Sequence, residues 1–174
     1  MTTALIMIDI QQGLFDEGPI YRVEDMLKNA ASLLERARKS GIPIVHVQHD
    51  GGKGDSLEQG KPGFETHPAV APRPGEHRVV KTHCSSFVNT GLDAKLKQLG
   101  VTDLVIAGLQ TDFCIDTACR VAHSLGYKVT LAEDAHSTFD SSLLTAPQII
   151  AHTSNIIKNR FARMIPAAAI TFGD

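Results

Sequence analysis

The sequence predicts an α/β protein, three layers deep (α/β/α), built on a mainly parallel six-stranded sheet. Three observations carry that prediction. Ala4-Leu5-Ile6-Met7-Ile8 is a continuous apolar run, which suits a strand buried on both faces. Short apolar runs then alternate with segments whose apolar residues recur at helical spacing, the signature of successive βα units. A length of 174 residues and a hydrophobic content of 43% suit one well-buried core, hence a single domain over residues 1–174.

The elements follow in order. The first strand ends at Asp9. Arg22 to Lys39 places Val23, Met26, Leu27, Ala30, Leu33, Leu34 and Ala37 on one helical face, and Gly41 is a natural C-terminal stop. Ile42 to Val47 reads as the second strand. Asp50 to His77 is rich in Gly and Pro and has no period, so it reads as a long functional or disordered loop. Arg78-Val79-Val80 is a short third strand ending at Lys81, and Thr90 to Leu99 a helix on Leu92, Leu96 and Leu99. Asp103 to Ala107 leads through Gly108 into a helix opened by Cys114 and running through Leu125. Tyr127 to Ala132 is the fifth strand, Ala146 to Phe161 the last long helix, and Ala162 to Ile165 a weaker sixth strand.

Bulk properties exclude several functions. A formal net charge of −2 and the absence of Trp give no electrostatic or stacking basis for binding nucleic acid or an anionic membrane. No run reaches the ~18–20 apolar residues that span a bilayer. The first core strand starts too early for a signal peptide, and Cys84, Cys114 and Cys119 form no disulfide framework. A cytoplasmic protein acting on a small molecule is expected.

Asp9, Lys81 and Cys114 each follow the carboxyl end of a predicted strand, the edge where open α/β sheets bind ligands. They supply a base, a cation and a nucleophile. Cys114 also sits at a helix N-terminus, where free N–H groups and the helix dipole favour a thiolate and can hold an oxyanion.

Three blocks carry a family resemblance: Ile6-Met7-Ile8-Asp9-Ile10-Gln11; Lys81 through Leu92, with Ser85, Ser86, Phe87 and Thr90; and Gly108-Leu109-Gln110-Thr111-Asp112-Phe113-Cys114-Ile115-Asp116-Thr117-Ala118, with Gly126-Tyr127 and Asp134-Ala135 beyond. In this order the chain resembles the isochorismatase-like cysteine hydrolases over nearly its whole length. The resemblance implies a Rossmann-like sheet with its switch point between the first and fourth strands. It implies Asp9, Lys81 and Cys114 as a catalytic triad, a cis peptide joining Leu109 to Gln110, and oxyanion donors in the N–H groups of Gln110 and Cys114. It also implies hydrolysis of a small amide or ureide through a thioester, since the family's vinyl-ether hydrolases often lack the cysteine. A vinyl-ether hydrolase and a non-catalytic binding protein on the same fold are the alternatives.

Around the triad, Gln11 is expected to orient a substrate amide, Leu14 and Phe15 to wall the pocket, Phe87 to wall it or pack in the core, and His83 and Cys84 to touch substrate. Cys119, five residues past Cys114, falls on another helix face and reads as core. His46-Val47-Gln48-His49-Asp50 lacks the Asp-x-His order by which related nicotinamidases bind metal, so no metal or other cofactor is expected, His67 and His77 notwithstanding. Family members are commonly oligomers, so a homodimer or tetramer is expected.

Overall fold

The structure, a computed structural model, describes residues 2–172. Its elements are β1 (Thr2–Ile8), α1 (Gln12–Asp16), α2 (Val23–Lys39), β2 (Ile44–His49), β3 (His77–Lys81), α3 (Leu92–Gln98), β4 (Val101–Leu109), α4 (Asp116–Ser124), β5 (Lys128–Ser137), α5 (Ala146–Arg160) and β6 (Arg163–Ile165). The six strands form one sheet in the order β3-β2-β1-β4-β5-β6. Every pairing is parallel, so the sheet is parallel throughout rather than mainly so. The chain winds outward from β1 through β2 and β3, then returns to lay β4 on the other side of β1. The crevice of this sheet therefore opens between β1 and β4.

β1 shows why the layers form. Leu5 and Met7 point into one core with Met26, Ala30, Leu33 and Leu34 of α2. Ala4, Ile6 and Ile8 point into the other, with Leu92 and Leu96 of α3 and Ala118 and Ala122 of α4. Both faces are covered, so the strand has no polar alternation. No helix among the described residues is long and apolar enough to cross a membrane.

Four elements differ from the sequence reading. A one-turn α1 follows Asp9, where the pattern shows no period. The segment from Asp50 to His77 is an organised loop, with 3₁₀ turns at Pro62–Phe64 and Pro68–Val70 and with Leu57, Phe64 and Val70 buried. β5 runs to Ser137, five residues beyond the expected end, because a register shift after Ile106 lets His136 pair with Gly108 and Ser137 with Leu109. Cys114 does not open the α-helix. It sits within a single π turn, Thr111–Ile115, and α4 begins at Asp116. Such turns concentrate at functional sites.

A buried ionic cluster ties α2 to β2 and the approach to β3. Glu76 accepts from Arg38 Nε at 2.6 Å, from His46 Nε2 at 2.8 Å and from the Arg73 N–H at 2.9 Å. Burial works against its charge, but Arg38 and the other two donors hold Glu76 down to about 2. Removing one member of a buried pair strands its partner, so Glu76→Ala is expected to cost about 3 kcal/mol at neutral pH. A carboxylate with a lowered value stabilises the fold fully above its ordinary 4.5 and ceases to do so as pH falls towards about 2. Urea titrations should show the gap between wild type and variant closing across that window.

Candidate active site

β1, β3 and β4 deliver the three residues singled out by chemistry to one point. Asp9 follows β1 in a left-handed conformation, φ 50°, which Asp tolerates better than most residues. Lys81 ends β3 and crosses over the end of β2 to reach it. Cys114 lies one π turn beyond β4, the neighbour of β1. Asp9 and Lys81 are each 2% exposed, which is rare for charged side chains and requires partners.

The partners are present. Lys81 Nζ lies 2.7 Å from Asp9 Oδ2, 3.2 Å from Cys114 Sγ and 3.3 Å from His49 Nδ1. An ammonium has three N–H donors and no acceptor, so these three contacts use its full capacity. They also make Nδ1 of His49 the acceptor and leave that ring's proton on Nε2. Burial, with Lys81 second, lowers His49 below its ordinary value, consistent with a neutral ring.

Electrostatics assign the protons. Burial pushes the Asp9 carboxyl above its usual value, and Lys81 opposes that only in part. Burial also works against Lys81, but Asp9 and Cys114 beside it outweigh this and raise it. Burial and the adjacent Asp9 push the Cys114 thiol well up, and Lys81 offsets only a fraction. The helix-end position favours a thiolate, but burial and the neighbouring carboxylate of Asp9 outweigh it and favour the protonated thiol, which suits a cysteine that Asp9 must deprotonate. Asp9 Oδ1 is buried with no hydrogen-bond partner among the described residues, an acceptor open to a proton.

A cavity of about 280 Å³ opens above these groups, lined by Asp9, Leu14, His49 and Leu57 on one side and by Cys84, Gln110, Phe113 and Cys114 on the other. Phe113 is 52% exposed at its mouth. The Leu109–Gln110 peptide bond is cis. The Gln110 carbonyl caps the turn by accepting from the N–H groups of Phe113 and Ile115, at 3.2 and 3.1 Å. Behind the turn, Thr111 is fully buried and its hydroxyl lies 2.8 Å from His136 Nδ1.

Several expected contacts fall elsewhere. Leu14 and Gln110 line the cavity, whereas Leu109 is buried in the core. Gln11 is also fully buried. Its amide donates to the carbonyls of His49 and Phe64 and accepts from the His49 N–H, so it clamps the long loop to β2 and has no group left for substrate. Phe15 packs on His67, and Phe87 stacks on Tyr127 against the second core. His83 is exposed and does not line the cavity. Cys119 is buried among apolar side chains, its thiol pushed up to about 12 by burial and by Asp116. His46 and His49 diverge, one to Glu76 and the other to Lys81, and His67 Nδ1 accepts from the Ala69 N–H. Among the described residues no group of three or more His, Cys, Asp and Glu side chains is disposed to hold a metal.

The sequence reading misses Leu57 and Phe113 as cavity walls and His49 as a partner of Lys81. Leu57 sits in an aperiodic loop. His49 had a usable signal, since it precedes the end of β2 by no residue at all and pairs in register with Lys81.

A cysteine, a carboxylate and a buried lysine in mutual contact at the switch point of a parallel sheet define a site equipped for nucleophilic chemistry on a small molecule. The chain belongs to the isochorismatase family of hydrolases: the model of the Isochorismatase domain matches residues 3–165. It is 37% identical over 147 residues to a streptothricin hydrolase of Streptomyces noursei, covering 84% of this chain and 52% of that one, so it spans about half that relative's length. A more distant relative, the ureidoacrylate amidohydrolase of Rhizobium rhizogenes, is 26% identical over 171 residues, 76% of this chain and 69% of that protein. The crystal structure of an isochorismatase from Pseudomonas putida superposes with a TM-score of 0.92 at 33% identity, over 97% of this chain and 89% of the other.

Proposed function

We propose that this protein is a cysteine hydrolase that opens the C–N bond of a small amide or ureide. One observation carries the reading: Lys81 Nζ bridges Asp9, at 2.7 Å, and Cys114, at 3.2 Å, on the floor of the cavity. The amidohydrolase relative points the same way.

In this reading Asp9 takes the proton of Cys114 as the sulfur adds to the substrate carbonyl carbon. Lys81 holds Asp9 in place and neutralises the charge that passes between the two. The oxyanion is received by the N–H groups of Gln110 and Cys114. Asp9 then gives its proton to the nitrogen, the C–N bond breaks, and ammonia or an amine departs, leaving a thioester on Cys114. Water, deprotonated by Asp9, adds to the thioester. The C–S bond breaks, the acid leaves, and the proton returns to the thiol. The sum is amide plus water giving acid plus amine. The raised proton affinity of Asp9 suits a group that must both take and return a proton near neutrality.

Ammonia release across a panel of small amides and ureides, run beside Cys114→Ala, tests the proposal. Release by the wild type that falls at least ~10³-fold in the variant is the expected result. Release unchanged by the substitution would remove the thioester path, and turnover of a vinyl ether by both proteins would install the alternative.

A further inference from the structure

The walls of the cavity carry information about substrate charge that the Asp9, Lys81 and Cys114 set does not. The three apolar side chains, Leu14, Leu57 and Phe113, come from three separate segments: α1, the long loop and the π turn. Leu14 and Leu57 are almost wholly buried, and Leu57 rests on Gly13, where an added Cβ would meet its Cδ2 at 2.8 Å. The apolar wall is therefore packed in place. Beside Asp9 and Cys114, the polar lining is Gln110, His49 and Cys84. No arginine or lysine lines the cavity among the described residues.

The one cation beneath it cannot serve an anionic ligand. The three donors of Lys81 are taken by Asp9, Cys114 and His49. Negative charge lies nearby: Asp50 and Asp55 of the long loop bear electrostatically on His49, as do Lys81 and Asp9. Asp50 is fixed there by accepting from the N–H groups of Gly52 and Gln59, and Asp55 by accepting from Leu57. A carboxylate on the substrate would meet apolar walls and the Asp9 carboxylate with no cationic side chain free to pair with it, and a desolvated unpaired charge is strongly disfavoured.

We infer that the site selects uncharged amides bearing an apolar or aromatic group, packed on Leu14, Leu57 and Phe113, and excludes amides that carry a carboxylate. This rests on the hydrolase reading above and narrows it. A cavity of about 280 Å³ is at the small end of ligand sites, so the substituent is no larger than a ring or a short alkyl chain. The same charge pattern acts on the product. Hydrolysis turns a neutral amide into a carboxylate, which the cavity disfavours, so the acid is a poor inhibitor.

Matched pairs test this: benzamide against 4-carbamoylbenzoate, and butyramide against succinamate. Two readouts are taken on each, ammonia release and protection of Cys114 from iodoacetamide. The neutral member of each pair is expected to exceed the charged one by about 100-fold or more in kcat/KM, with the same order in protection. Leu57→Arg is expected to invert the order by supplying the missing cation. Equal or greater use of the carboxylated amides by the wild type, or equal protection by both members, overturns the inference and leaves the hydrolase reading standing. If neither member of either pair releases ammonia, the protection ratio alone decides the charge preference, and the hydrolase reading is decided on the wider panel of amides and ureides. A Leu57→Arg protein that does not fold leaves both wild-type comparisons intact.

Discussion

Asp9→Asn is expected to lower kcat by ~10³–10⁴-fold while leaving KM within a few-fold of wild type. A positioned acid–base group contributes on that order, equivalent to about 4–5 kcal/mol of barrier. The reason for expecting the upper part of the range is specific to this site. Burial and Asp9 favour the protonated thiol of Cys114 and Lys81 offsets this only in part, so Asp9 is the one base placed to prepare the nucleophile among the described residues. Asn keeps the shape of the side chain and tolerates the left-handed backbone at position 9, φ 50°, which confines the change to the loss of the charge. Lys81 then faces a neutral amide in place of a carboxylate 2.7 Å away, so some loss of stability accompanies the loss of rate. Circular dichroism at the assay temperature separates the two. In the wild type, kcat/KM should fall as pH drops through the Asp9 value, and that limb should lie above the ordinary 3.8 because burial raises it. Lys81→Met should move the limb further up, since Lys81 is the main influence pulling the Asp9 value down.

Gly108→Ala is expected to be the most damaging substitution of a residue with no chemistry of its own. Gly108 has φ 133°, and a Cβ there would stand 2.0 Å from the carbonyl oxygen of Ile8 and 2.8 Å from its carbonyl carbon and nitrogen. Those atoms are the backbone of β1, which has no side-chain freedom to yield. Relief requires β4 to move away from β1. Ile8 precedes Asp9, and Gly108 leads into the turn that holds Cys114, so the same movement parts the base from the nucleophile. We expect a loss of about 3 kcal/mol or more, hence a Tm lower by roughly 6–12 °C, and a fall in kcat larger than the stability change explains. Gly126→Ala is the control. Its φ is 94°, but nothing lies within 4 Å of the added carbon, so it bears only the backbone penalty of about 1 kcal/mol. Similar costs at the two positions would contradict the close approach of β1 and β4.

The parts of the molecule legible from sequence are those with a period or a hard stop. The run from Ala4 to Ile8, the helical face from Val23 to Ala37, and the strand-end positions of Asp9, Lys81 and Cys114 all belong to that class. What escapes is decided by contacts far apart in the chain. Gln11 looks like a substrate ligand by residue type, yet its amide is consumed by backbone 38 and 53 residues away. The sequence pattern ends the fifth strand at Ala132, yet Glu133 to Ser137 continue β5, because a register shift brings His136 and Ser137 beside Gly108 and Leu109. Leu57 belongs to a stretch with no pattern, and only folding of the long loop over α1 makes it a cavity wall. The protonation of Cys114 was legible only in part. A helix N-terminus argues for a thiolate, and the opposing effect of a buried carboxylate appears only when β1 and β4 are placed side by side.

The thioester on Cys114 is the central claim and can be seen directly. The protein is mixed with an amide substrate, quenched in acid within the first turnover, and its mass measured intact and after digestion. The account predicts a mass increase equal to the acyl group, confined to the peptide that contains Cys114, removed by hydroxylamine and absent from Cys114→Ala. Turnover with no adduct on Cys114 under those conditions, together with activity retained in Cys114→Ala, would contradict it.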